Sequence, residues 1–145
     1  MKALISGLFR VLILISTLNL SAQTPITSQG SLTALETKQI QEVYGDQFRE
    51  RVLNRPEVIY SLKQILRNRI EIVEINNPRD QKDCRLLSEV ALKTVFVKDL
   101  NRDKVFNPSS FNPLKYAFNF DPRRASVYRV DNTNYFILIK PDPTR

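Results

Sequence analysis

The chain has 145 residues, of which 22 are basic, 15 acidic and none histidine, giving a net charge of +7 at pH 7. Without histidine and with the single cysteine Cys84, it can build no Ser-His-Asp or Cys-His catalytic set, no thiolate metal cluster and no intrachain disulfide. Three glycines leave no phosphate-cradling loop, so nucleotide-driven chemistry is excluded with them.

Residues 1–23 read as a cleavable signal peptide. Lys2 and Arg10 supply a positive start without an acid, Val11–Leu20 is a ten-residue apolar run, and Ser21, Ala22 and Gln23 follow. A spanning helix needs roughly 20 apolar residues to cross about 30 Å of hydrocarbon, and this run is half that. An uncleaved anchor that used the preceding residues as well would hold Arg10 within the membrane at a cost of about 2.5–3.5 kcal/mol. Cutting after Gln23 places the small Ser21 third before the bond and makes Thr24 the first mature residue. The expected location is therefore outside the cytoplasm, periplasmic or extracellular, with no membrane span after cleavage.

Residues 24–31 are a polar arm without periodicity, and a single domain is expected over 32–140, followed by a breaker-rich tail, 141–145. Thr33 and Glu36 match a capping box, and Leu32, Leu35, Ile40, Val43 and Tyr44 form a helical stripe that ends at Gly45. A second short helix is expected from Asp46, with Phe48, Val52 and Leu53 turned inward. The third has Pro56 in its first turn and Val58, Ile59, Leu62, Ile65 and Leu66 on one face, ending near Asn68.

After Asn68 the period changes from helical to alternating. Ile70 and Ile72 share one face of a strand and Val73 and Ile75 the other, a phase slip that implies a bulge or burial on both sides. A polar loop follows over 76–83. The run from Leu92 to Lys98 reads as a strand and continues through a charged turn to Val105 and Phe106. Leu114, Tyr116, Phe118 and Phe120 alternate with Lys115, Ala117 and Asn119, the strongest strand pattern in the chain. Ser126–Val130 and Tyr135–Lys140, joined by Asp131–Asn134, predict a terminal hairpin. The predicted class is α+β: two or three N-terminal helices packed on a curved, mainly antiparallel sheet of about four to six strands.

Candidate sites are few. Lys115, Arg123, Arg124 and Arg129 are interleaved with Tyr116, Phe118, Phe120 and Tyr128, a mixture that can hold an anionic partner, although the alternation favours a structural role for the aromatics. Asp99, Asn101 and Asp103 repeat the first ligand positions of a calcium loop, but Lys104 stands where the loop needs glycine and Ser110 where it needs glutamate, so a charged turn is the better reading. Cys84 is a buried filler, a reactive thiol or a dimer-forming one. No cofactor is implied. The function expected is a noncatalytic binding or structural module of the cell envelope or secretome, its partner an acidic glycan, a lipid headgroup or an envelope protein, with nucleic acid disfavoured by export. The alternatives are a small carboxylate-dependent hydrolase acting on a glycan, and a protein-inhibitor or chaperone-like partner presenting a sheet edge.

Overall fold

The computed structural model describes residues 31–81 and 83–142. The predicted signal segment, nearly all of the predicted arm, Lys82 and residues 143–145 lie outside the described residues. Among the described residues, no helix is long and apolar enough to cross a membrane.

Helix α1 (Ala34–Tyr44) starts where the capping box places it. The Thr33 side chain accepts from the Glu36 N–H, and the Glu36 carboxylate accepts from the Thr33 N–H. It stops at Gly45, whose φ of 53° lies in the left-handed region. A Cβ added to Gly45 would stand 2.9 Å from Cγ2 of Val97, so both conformation and space demand glycine there. A tight turn over Gly45–Gln47 and a wide helical turn over Arg49–Leu53 then fold the chain back. Helix α2 (Pro56–Gln64) begins on its first-turn proline and runs into a second wide turn, Ile65–Arg69. Ile40, Val43, Phe48, Val52, Leu62 and Leu114 form the core of this helical layer. Ile40 and Val52 are completely buried, each stabilising the layer by about 1.5–3 kcal/mol. Leu35 and Leu53, expected to face inward, are instead 46% and 44% exposed. Leu53 ends a wide turn, whose residue spacing carries it off the stripe that an α-helix would have kept.

The sheet has four strands, β1 (Ile70–Glu74), β2 (Arg85–Leu86), β3 (Ser126–Arg129) and β4 (Tyr135–Ile139), in the order β1-β4-β3-β2. The fold is thus of the α+β class, with the helices N-terminal to the sheet and no marked curvature. β1 and β3 both run antiparallel to β4, while β2 lies parallel to β3. The sheet is therefore mixed. β1 pairs with β4 from Ile70↔Ile139 to Glu74↔Tyr135 without interruption, so the phase slip in its sequence is not a bulge. Val73 is half-buried on the face opposite Ile72, which accounts for the second apolar row. The predicted hairpin forms, with Asn132 in its turn at φ 54°.

Two predicted strands are replaced by irregular chain. Residues 92–98 form turns, and only Leu92 makes a bridge, to Tyr116. Phe96 leaves the sheet direction to stack on Tyr44, with ring centroids 4.8 Å apart. Pro113 opens a tight turn through Lys115, after which Tyr116 and Phe118 are buried while Ala117 and Asn119 are exposed. The alternation is real, but it reflects aromatic packing rather than a ladder. Phe111, Tyr116, Phe118 and Tyr128 form a connected ring cluster over Val130, Ile137 and Ile139.

Candidate functional site

A groove of about 500 Å³ lies between the first turns of α1, the start of β1 and the loop around residues 108–113. Leu35 and Gln39 come from α1, Leu66 from the turn before β1, Ile70 and Ile72 from β1, and Phe111 from the far wall. Three fixed polar contacts hold that wall in place. Gln39 Nε2 donates to the Phe111 carbonyl at 2.9 Å, Asn112 Nδ2 donates to the Gln39 carbonyl at 2.8 Å, and Asn112 Oδ1 accepts from the Leu114 N–H at 3.1 Å. Asn112 is 2% exposed, so its amide is committed to this brace.

Glu36 is the acid of the groove. Arg67 Nη2 donates to its Oε2 at 2.8 Å, Arg67 Nε reaches the other oxygen, and the Thr33 N–H adds a bond at 2.7 Å. The Arg67 bond, opposed by burial and assisted by Thr33, lowers the Glu36 pKa from 4.5 to about 2. The carboxylate is ionised and neutralised at once, and ties α1 to the segment entering β1.

A second hollow, of about 270 Å³, lies beyond the end of β2 and shares Phe111 with the groove. Its polar groups serve the fold. Arg102 donates to the Leu87 and Val90 carbonyls and lies 5.5 Å from the Tyr116 ring centroid. Ser88 donates through both its N–H and its hydroxyl to Asp131. Those bonds hold the Asp131 carboxyl below its ordinary range in spite of burial, which acts the other way.

The four basic residues singled out in the sequence go to different settings. Lys115 is 2% exposed, with Nζ 2.8 Å from Asp103 and 3.0 Å from Glu42. Burial alone would depress its pKa, but the bonds to those two carboxylates outweigh it and hold the ammonium above its usual range. Arg129 donates to the Thr133 carbonyl and lies 5.7 Å from the Phe136 ring centroid. Arg123 and Arg124 share an exposed turn in which both backbone N–H groups donate to Asp121 Oδ1, at 2.7 and 3.1 Å. Their guanidinium groups have no partner among the described residues.

In the calcium-like turn, Asn101 Nδ2 donates to the Asp99 carbonyl at 2.6 Å, while Asp103 is turned to Lys115. Among the described residues, no group of three or more His, Cys, Asp or Glu residues could hold a metal ion. Cys84 is a half-buried free thiol whose pKa is raised by burial and by Asp83, against a smaller opposing effect of Arg129. A smaller fraction of it is thiolate at neutral pH than in an unperturbed cysteine. Sequence reasoning found Glu36 as a cap but not its pairing with Arg67, and missed the groove altogether. Alternation at Ile70 and Ile72 was a visible signal, but not which strand would be outermost.

Comparison with known proteins yields no matching family model, no matching curated protein and no matching solved structure.

Proposed function

We propose that the protein is an exported, noncatalytic binding module whose ligand lies in the groove between α1 and β1. The observation that carries this reading is a braced groove with partly exposed Leu35, Leu66, Ile70 and Ile72 beside a sheet edge. Export is supported by the order of charge, apolar run and small residues across residues 1–23. The noncatalytic part is supported by Glu36. A two-carboxylate hydrolase needs a second acid that keeps its proton near neutrality, and among the described residues lining the groove Glu36 is the one carboxylate and is held ionised by Arg67.

Amide shift mapping on the folded protein tests this reading against three pools: short extended peptides, acidic oligosaccharides and phospholipid micelles. At least one pool should shift the amides of residues 35, 66, 70 and 72, and Leu35→Glu should abolish the effect. Shifts confined to other surfaces would overturn it.

A second reading is favoured by the exposed, unpartnered guanidinium groups of Arg123 and Arg124. Their turn would hold an acidic glycan or a lipid headgroup through charge that salt screens. It predicts that the double change Arg123→Glu and Arg124→Glu removes binding to the anionic pools while leaving the groove untouched. Unchanged binding would retire it.

A further inference from the structure

We infer that the groove's ligand is an extended polypeptide segment that joins the open edge of β1 as a fifth strand, placing two alternate apolar residues against Ile70 and Ile72 and a basic residue against Glu74. The inference rests on the groove reading above and narrows it to one class of partner.

The backbone supplies the first argument. The β1–β4 ladder is bracketed by the Lys140 N–H donating to the Arg69 carbonyl at 2.8 Å and the Ile75 N–H donating to the Asn134 carbonyl at 2.9 Å. In an antiparallel pair, hydrogen-bonded positions alternate, so Glu71 and Val73 direct their backbone groups to β4. Ile70, Ile72 and Glu74 direct theirs to the open side. Among the described residues, no hydrogen bond is made there by the N–H or C=O of Ile72 or Glu74. Edge strands are usually blunted by shortness, proline, a bulge or an inward charge. β1 has five residues, no proline and continuous register, and its inward row is apolar at Ile70 and Ile72, with a charge only at its exposed last residue, Glu74.

The side chains supply the second. Ile70 and Ile72 line the groove, so a strand laid alongside at the ordinary spacing of about 4.8 Å would point alternate side chains over Leu35, Leu66 and Phe111. Glu74 follows two residues later on the same face. It is exposed and has no ion partner among the described residues, whereas Glu71 on the other face is 3.4 Å from Lys140. An apolar, apolar, carboxylate row calls for an apolar, apolar, cationic partner. The basic residue precedes the apolar pair in an antiparallel partner and follows it in a parallel one.

The test uses two fluorescent nonapeptides with two valines and a lysine at alternate positions and serines between, one for each direction, read by polarisation. One of the two should bind. N-methylation of the backbone amide that donates to the Ile72 carbonyl, which is that of the residue opposite Ile72 in the antiparallel peptide and of the residue after it in the parallel one, should weaken binding about tenfold with all side chains kept. Glu74→Lys should weaken the lysine peptide by a similar factor, and replacing that lysine with glutamate should restore binding to the variant. Equal binding of the N-methylated peptide, or no response to the charge exchange, overturns the added strand. Failure of both peptides while oligosaccharides or micelles still shift the groove amides overturns the peptide ligand and leaves the groove reading standing. No groove shift with any pool overturns both.

Discussion

The two edges of the sheet are built on opposite plans. β2 offers two residues, lies parallel to its neighbour and passes at once into a tight turn over Leu87–Glu89. Arg102 closes over that turn by donating to the Leu87 carbonyl at its start and the Val90 carbonyl just past its end, and Ser88 is tied to Asp131 in the hairpin turn. β1 offers five residues, and the outward backbone groups of Ile72 and Glu74 meet no described partner. One edge is short and secured by side chains, and the other is long and left free. An added strand gains most where edge N–H and C=O groups stand unpaired, so the β1 edge beside the braced groove is where a partner would add most.

Several measurements would break or sharpen this contrast. The largest effect belongs to Ile137, completely buried in the strand that neighbours β1 and β3 alike. Ile137→Ala should cost about 3 kcal/mol in urea unfolding and loosen both edges together in hydrogen exchange. Loosening of one edge alone would show that they do not share a core. Next is Glu36, which secures the approach to β1. Its pKa is about 2 when folded against an ordinary 4.5, so its stabilisation is complete above pH 4.5 and lost as pH falls toward 2. After allowance for the solvent around Arg67, Glu36→Gln should cost about 1–2 kcal/mol at pH 7, with the difference from the parent closing below pH 4.5. A constant difference down to pH 2 would refute the pairing.

On the β2 side, Arg102→Met should cost about 1 kcal/mol and speed amide exchange over residues 85–90 without affecting β1. The smallest perturbation requires no mutation. Along β1 the Glu71 and Val73 amides should exchange slowly, and those of Ile72 and Glu74 fast. Protection of Ile72 in the free protein would mean that the edge is already covered.

Local signals in the sequence were translated faithfully. The Thr33–Glu36 box, Gly45, Pro56 and the hairpin at Asp131–Asn134 each depend on neighbours within a few residues, and each stands where its residues predict. Strand order does not. Nothing local to Ile70–Glu74 says that β4 will take one side and leave the other open, and nothing local to Arg85–Leu86 announces a parallel edge. Lys115 shows the same limit, because its burial depends on Glu42 and Asp103, carboxylates brought to it by the fold. The stretch from Leu92 to Lys98 has strand composition without strand pairing, since its aromatic ring is taken up by Tyr44.

Lys115 also separates two residues with different allegiances. Leu114 belongs to the helical core and Tyr116 to the aromatic core beneath the sheet. Three consecutive side chains thus enter one layer, an ion triad and the other layer, with no slack between them. Neither layer can loosen without pulling on this rivet, so heat should melt the domain in one cooperative step, and a calorimetric scan should record a single peak.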